Sequence, residues 1–238
     1  MPIDPATLAK SIGALHALDL DGGFARALQH VVDAAKALFK AKAAGLMLVD
    51  VDGALRWASA SDQSAQTVEA GQERFAEGPC ATAFARHAAV AMRDASRNPE
   101  CQKLAGVLVD EGIMAALSVP VEVDGGLVGT LDVYMGEPRD WDPSEVAALQ
   151  AYTGLVGSLL VSAAAAQVQG RLAVQLQTAL EHRVVIEQAK GMLMAREGLN
   201  APAAFERLRR AARSSGRTVV ALAQEVLNQR RNGARSPR

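Results

Sequence analysis

Residues 183–213 read RVVIEQAKGMLMAREGLNAPAAFERLRRAAR, and this stretch decides how the last third of the chain folds. Apolar residues recur at helical spacing from Arg183 to Glu197. Gly198 stands where a left-handed C-terminal cap is expected, and Asn200 can cap the helix that follows. The stretch therefore predicts two consecutive helices joined by a short turn.

A third helix is predicted after Gly216, with Thr218 as its N-terminal cap. On the second helix, Arg207, Arg210 and Arg213 recur every three residues on a side other than the apolar one. The positions predicted to face inward are Val185, Ile186, Ala189, Met192, Leu193, Ala204, Phe205, Leu208, Ala212, Val219, Leu222, Ala223 and Val226. The last third is thus predicted to be a three-helix unit with arginines on its outside.

The formal net charge of −1 hides an uneven distribution of charge along the chain. Residues 171–238 hold 13 Lys or Arg against 5 Asp or Glu, a net charge of +8. Residues 1–170 hold 12 Lys or Arg against 21 Asp or Glu, a net charge of −9. A basic C-terminal part favours a phosphate-bearing partner. On charge alone, the alternative to such a partner is that the basic side chains simply form a solvated helix face.

The order of residue types in this basic part resembles the ANTAR domain over residues 172–230. The resemblance rests on the run IEQAKGMLM at 186–194, the Ala-Phe pair at 204–205, the Leu-Arg pair at 208–209 and the apolar positions of 219–226. ANTAR domains are RNA-binding transcription antiterminators. The resemblance implies that the chain binds two neighbouring hairpin loops in a transcript leader, and that it does so as a homodimer.

Basic side chains on these helices are the candidates for contact with RNA, because phosphates and splayed bases of single-stranded loops bind cationic and planar groups. Arg183 and Lys190 are seven residues apart and therefore lie on one side of the first helix. Gly191 would permit close approach of a nucleotide. The predicted RNA-binding set is Arg183, Lys190, Gly191, Arg196, Arg209 and Arg213.

The first two thirds of the chain alternate between helical and strand periods. Helices are predicted over 5–20 and 23–42. Two hairpins with an Asp-Gly dipeptide at each turn are predicted, with strands 44–51, 54–60, 115–123 and 127–135. Hairpins in place of crossovers indicate an α+β fold with an antiparallel sheet flanked by helices.

Shorter elements are predicted between and after the hairpins. Residues 61–77 are polar and are expected to be irregular or partly helical. A short helix over 80–87, a strand over 88–92 and a helix from Asn98 to about Glu111 follow. Asp142, Pro143 and Glu145 predict the capped start of a long helix.

Three short motifs in this part resemble the GAF domain over residues 22–165. They are EGPC at 77–80, SVPV at 118–121 and GTLDVY at 129–134. GAF domains are small-molecule sensors or dimerisation modules. The resemblance implies a small-molecule effector whose identity is unknown, and it requires no cofactor. The Asn-Lys signature of the cyclic-nucleotide class is missing, and neither cysteine is followed by the His of the bilin-attaching class.

Cys80 and Cys101 are the candidate redox or sensor residues. Cys80 is predicted near a helix N-terminus, where the helix dipole lowers the pKa of a thiol. The alternative functions are a GAF-type redox sensor or methionine sulfoxide reductase, and a dimerisation module without RNA binding. Each cysteine can equally be a small buried hydrophobe. No catalytic set of residues and no metal site are predicted, so the chain is expected not to be an enzyme.

The predicted division is a GAF-like sensor at 1–165, an ANTAR-like unit with its connecting helix at 166–230, and a disordered tail at 231–238. Leu172, Leu176 and Ala179 resemble part of a heptad seam. Packing of this helix on its own domain is the alternative, and Gly170 is a candidate hinge. The N-terminus lacks the pattern of a signal peptide, and the apolar run 154–166 is too short to span a bilayer. A cytoplasmic protein is expected.

Overall fold

The computed structural model describes residues 2–16, 23–50, 52–98, 101–165, 171–215 and 217–233. The chain divides into two units. The N-terminal unit consists of residues 1–48 and 55–173, and the C-terminal unit consists of residues 174–238 with the short segment 49–54.

A five-stranded antiparallel sheet forms the centre of the N-terminal unit. Its strands are β1 (Ala43–Val49), β2 (Leu55–Ala60), β3 (Val90–Met92), β4 (Ala115–Val123) and β5 (Gly126–Met135), in the spatial order β2-β1-β5-β4-β3. Both predicted hairpins are present, and β1 pairs with β5 to join them. The predicted α+β class is confirmed.

Helices cover both faces of this sheet. They are α1 (Pro5–His16), α2 (Phe24–Phe39), α3 (Gln63–Phe75), α4 (Pro79–Arg86), α5 (Ala105–Asp110) and α6 (Pro143–Ala165). The helices α2 and α6 pack on each other and on the sheet. On the other face, Ala43, Ala116 and Tyr134 point into a core that they share with α3 and α5.

The start of α6 has the predicted capping box. The Asp142 carboxylate accepts from the Ser144 amide at 2.8 Å, and the Glu145 carboxylate accepts from the Asp142 amide at 2.9 Å. Residues 143–163 are long and apolar enough to cross a membrane by length and composition. Leu149, Tyr152 and Val156 of this helix are fully buried in the unit, which is the arrangement of a core helix.

The polar stretch 61–77, expected to be irregular or partly helical, contains the regular helix α3 over most of its length. Asp62 caps α3 by accepting from the Ala65 amide at 2.9 Å. The sequence did not predict the full extent of this helix, because Glu69 and Gln72 are polar yet buried and interrupt its apolar stripe. The helix predicted from Asn98 is also shorter than expected, since α5 begins only at Ala105.

The C-terminal unit contains α7 (Arg171–Glu197), α8 (Ala201–Ser215) and α9 (Val219–Gly233). Gly198 has a φ of +67°, as the predicted left-handed cap requires. The Asn200 side chain accepts from the Ala203 amide at 2.9 Å, and the Thr218 hydroxyl accepts from the Ala221 amide at 3.1 Å. These contacts confirm both predicted N-terminal caps.

Apolar side chains from all three helices form the core of the C-terminal unit. Its buried members are Ile186, Ala189, Leu193, Ala204, Leu208, Ala212, Val219, Val220 and Ala223. Eight of the positions predicted to face inward are buried in this core, and Val185, Phe205, Leu222 and Val226 are partly buried against it. Met192 does not belong to the core, and Val220 is an addition. Gly170 and Gly216 lie outside the described residues. The predicted domain boundaries stay predictions.

Candidate functional site

The predicted RNA-binding residues lie on α7 and α8 of the C-terminal unit. Arg183 and Arg213 belong to these helices, but their side chains lie outside the described part of the structure. Arg196 is near the end of α7, and its side chain is 58% exposed. Its guanidinium is 4.0 Å from the carboxylate of Glu197, which is beyond hydrogen-bonding distance.

Lys190 is mostly buried within the helical core. Its side chain is only 6% exposed, and its ammonium donates to the Glu187 carboxylate at 2.8 Å and 3.0 Å. The ammonium also lies 5.9 Å from the centre of the Phe205 ring, a cation–π distance. Lys190 thereby connects α7 to α8, and its charge is already neutralised by a neighbour.

Gly191 and Arg209 occupy more accessible positions. Gly191 is exposed, and a Cβ atom built on it would meet nothing within 4 Å. Arg209 donates to the Glu206 carboxylate at 3.2 Å, one turn earlier on α8. Arg209 is therefore held by a local ion pair, whereas Gly191 offers open space beside the helix.

Two arginines outside the predicted set, Arg207 and Arg210, lie on α8. The Arg207 Nε is 3.6 Å from the Glu197 carboxylate, and the Arg207 side chain is 55% exposed. Arg210 follows one turn later on α8 and is exposed. Among the described residues, Arg210 makes no ion pair. Their spacing of three was visible in the sequence, but their different ion pairing was not.

A second candidate site is a buried polar cluster between the sheet and α3. The β1–β5–β4 register places Gly45 beside Asp132, and Asp132 beside Ser118. A Cβ atom on Gly45 would collide with the carboxylate of Glu69, which projects from α3. The absence of a side chain at Gly45 therefore makes room for a second buried carboxyl near Asp132.

Hydrogen bonds satisfy the groups of this cluster. Glu69 accepts from the Tyr134 hydroxyl at 2.7 Å and from the Gln72 amide at 3.0 Å. Asp132 accepts from the hydroxyls of Ser118 and Thr130, the latter at 3.0 Å. These partners hold both carboxyl groups in fixed positions inside the core.

Burial controls the protonation of the two acids. Both side chains are fully buried, and burial raises the pKa of Asp132 to about 7. Burial, and then the nearby Asp132 charge, raise the pKa of Glu69 well above its ordinary value. Neither carboxyl has a salt bridge to a described Lys, Arg or His residue. The cluster therefore retains protons to an unusually high pH.

The sequence leaves Cys80 open as a redox thiol or a buried hydrophobe, and the lowered thiol pKa expected from the helix dipole is not found in the structure. Cys80 is in the first turn of α4, as expected, but it is buried, and burial followed by the charges of Asp132 and Glu69 raises its pKa well above the ordinary value. Its sulfur contacts the Met47 sulfur at 3.2 Å. Cys101 is also buried, with its sulfur 3.8 Å from that of Met92. Both thiols have the surroundings of core residues.

The acidic and sulfur-bearing side chains do not converge as metal ligands would. Within the described ranges, no group of three or more His, Cys, Asp or Glu side chains is arranged to hold a metal ion. The two carboxyl groups of the polar cluster can bind protons, and the C-terminal unit has cationic side chains on its surface.

Two family models match the chain, and together they cover both units. The GAF domain model matches residues 24–160, and the ANTAR domain model matches residues 174–227. The order of the two matches is the one that the sequence motifs predicted. A search of curated proteins gives no match.

Solved structures share the fold of the N-terminal unit. The chain is similar to the GAF domain of a phosphoenolpyruvate-protein phosphotransferase from Coxiella burnetii, with a TM-score of 0.54 and 20% identity over 68% of this chain and 95% of that one. The corresponding Acinetobacter domain gives a TM-score of 0.53 and 15% identity, with the same coverage. A free methionine-R-sulfoxide reductase from Neisseria meningitidis gives a TM-score of 0.50 and 17% identity, over 64% of this chain and 85% of that one. At these identities the likeness concerns the fold alone.

Proposed function

Because this chain belongs to the GAF family and carries an ANTAR domain behind its GAF domain, we propose that it is an RNA-binding regulator of transcription antitermination. A GAF domain followed by an ANTAR domain supports a regulator of the antiterminator type. The finer proposal is that the C-terminal unit binds hairpin loops in nascent transcripts.

The observation that carries this proposal is the match of the ANTAR model to the basic part of the chain. The matched residues 174–227 lie within the segment 171–238, whose net charge is +8. Cationic side chains neutralise RNA phosphates, and arginine guanidinium groups also stack on unpaired bases. The proposed RNA-binding set comprises Arg183, Lys190, Gly191, Arg196, Arg209 and Arg213.

The proposed mechanism is competition between alternative folds of the RNA. A protein bound to two neighbouring hairpins stabilises them against the terminator hairpin, so the polymerase continues. This step makes and breaks no covalent bond. The proposed active form is a homodimer, because linking two weak loop-binding sites raises their effective concentration without any new contact.

The GAF domain is proposed to act as the sensor of the regulator. A small-molecule effector that binds one arrangement of the chain more tightly than another would shift the population of the RNA-binding form. The proposed location of both steps is the cytoplasm, where nascent bacterial-type transcripts are made. The proposal specifies a small molecule as the effector and names no particular compound.

The alternative of cysteine-dependent redox chemistry is weaker. The likeness to a methionine-R-sulfoxide reductase is at 17% identity. Burial also raises the pKa of the Cys80 thiol, which disfavours the thiolate that such chemistry uses. Turnover of methionine sulfoxide that disappears in Cys80→Ser would nevertheless establish this function instead.

The proposal is tested by transcription through a terminator in vitro. The template carries two hairpins with short loops, and the second overlaps the terminator. We expect read-through to rise with protein concentration, and to lose this rise when both loop sequences are replaced. Read-through that does not respond to the protein would contradict the proposal.

A further inference from the structure

The Lys and Arg side chains of the C-terminal unit differ in how strongly the Glu carboxylates of the same unit hold them. The ion pairs of Lys190 with Glu187 and of Arg217 with Glu225 have hydrogen-bonding distances of 2.8 Å and 2.5 Å. A side chain held in this way must break a charge-assisted hydrogen bond before it can bind a phosphate.

A different arrangement surrounds Glu197 at the end of α7. Arg196 and Arg207 both approach this carboxylate, but only to 4.0 Å and 3.6 Å. At such distances the arginine donors are attracted to Glu197 without being hydrogen-bonded to it. More than half of each arginine side chain is exposed to solvent, at 58% and 55%.

Arg210 extends this group along α8. It is three residues after Arg207, and side chains at this spacing are neighbours on a helix surface. Arg210 is exposed and has no ion pair within the part of the chain that the structure describes. Glu197 therefore partly neutralises Arg196 and Arg207, while Arg210 beside Arg207 on α8 adds a further positive charge.

We infer that Arg196, Arg207 and Arg210 form the phosphate-binding surface of the RNA site, and that Glu197 is an internal competitor that an RNA phosphate displaces. This inference rests on the proposed RNA-binding function and adds Arg207 and Arg210 to its residues. A phosphate presents oxygens that match the fork of arginine donors, and bidentate pairs of this kind are stronger than the long contacts with Glu197.

Lys190, a member of the proposed RNA-binding set, also has a structural role. Its buried ammonium contacts the Glu187 carboxylate and the Phe205 ring, and the second contact holds α7 against α8. Lys190→Met keeps the apolar stem and removes the charge. We expect the thermal midpoint of this variant to fall, because the contacts of the ammonium with Glu187 and with the Phe205 ring are lost.

The experiment measures binding of the full chain to a synthetic RNA of two adjacent hairpins with short loops, at several salt concentrations. Arg207→Gln and Arg210→Gln are each expected to weaken binding about tenfold, the loss of one charged hydrogen-bonding partner. Each should also reduce the salt dependence of log Kd by about 0.7 to 1. Arg217→Gln is the matched control, since it removes the same charge from an arginine that is hydrogen-bonded to Glu225.

Glu197→Gln provides a test in the opposite direction. Removing the internal competitor should strengthen binding roughly two- to fivefold, the range in which surface ion pairs act. This gain should shrink in the double variant with Arg207→Gln, because only the more distant Arg196 is then left for the change at Glu197 to release. Helical circular dichroism and the thermal midpoint of each variant confirm that the protein remains folded.

The outcomes separate this inference from the proposed function. If the unchanged chain shows no preference for the RNA over duplex DNA, the proposed function fails. If it binds the RNA, but Arg207→Gln and Arg210→Gln bind as tightly as Arg217→Gln, the function stands and the assigned surface is wrong. Weaker binding by Glu197→Gln would likewise overturn the role of Glu197 as a competitor.

Discussion

At the scale of single residues, Asp132 and Glu69 determine how the stability of the N-terminal unit responds to pH. The pKa of Asp132 is raised from 3.8 to about 7 by burial. Between these values the folded state holds a proton that the unfolded state has released. Stability therefore falls as pH rises from about 4 to about 7, by roughly 1.4 kcal/mol per pH unit for one such group. Above the folded pKa this contribution stays constant.

Asp132→Asn should remove this pH dependence. The amide retains the shape of the acid but does not ionise, so the stability of the variant relative to the unchanged protein should rise between pH 5 and pH 7. Urea unfolding at pH 5, 6, 7 and 8 measures the unfolding free energy of both proteins, and the fluorescence of Trp57 and Trp141 reports on this unit. Asp110→Asn, an exposed change at the end of α5, is the control. If the difference in unfolding free energy between Asp132→Asn and the unchanged protein stays constant from pH 5 to pH 7, the account is contradicted.

Gly129 provides a second test at residue scale. In β5 it lies opposite Leu48 of β1, and a Cβ atom on it would collide with the backbone carbonyl of Met47. Gly129→Ala should lower the free energy of unfolding by about 1–3 kcal/mol or more, because backbone cannot move aside as a side chain can. Gly106→Ala in α5 meets nothing within 4 Å and should change it by no more than about 1 kcal/mol. Equal effects in urea unfolding would argue against this packing of β1 and β5.

At the scale of elements, α7 offers a test of the proposed role of Gly191. An Ala there has open space and should stabilise the helix by about 0.5–1 kcal/mol, as Gly-to-Ala changes do inside helices. If RNA approaches the backbone at this position, the added methyl group should also weaken RNA binding. Thermal unfolding and RNA titration of Gly191→Ala measure the two effects separately. Unchanged affinity would remove Gly191 from the proposed set.

The elements also show which parts of the fold the sequence could predict. The caps at Asp142, Asn200 and Thr218 depend on short-range chemistry, so they could be predicted residue by residue. The helix α3 could not, because Glu69 and Gln72 are buried through partners that lie far away in sequence, such as Tyr134. Local periodicity carries no signal for polar groups that a distant strand satisfies.

The same reasoning applies to the candidate sites. Charge and motif order indicated the basic helices. The contacts that distinguish Lys190 from Arg207, with the Phe205 ring and the Glu197 carboxylate respectively, depend on how α7 meets α8. For Cys80, the helix N-terminus was predicted correctly and its effect on the thiol was not. The burial of Cys80 beside Asp132 and Glu69 outweighs the helix dipole, and this environment exists only after the sheet has formed.

At the scale of the whole molecule, the chain joins a GAF domain to an ANTAR domain. The GAF domain has a core that is closed by helices and contains two buried acids with raised pKa values, whereas the ANTAR domain has a small apolar core and a cationic exterior. Their order along the chain was predictable from short motifs. This division of properties supports the proposal that the first domain senses and the second binds RNA.

The central claim is tested most directly by the affinity of the full chain for a two-hairpin RNA, compared with duplex DNA of equal length. The titrations are run at several salt concentrations, because phosphate contacts make both affinities depend on salt. The account predicts tighter binding to the RNA at every concentration, and a loss of that preference when the loops are replaced by paired sequence. Equal affinities for the two nucleic acids at all salt concentrations would contradict it.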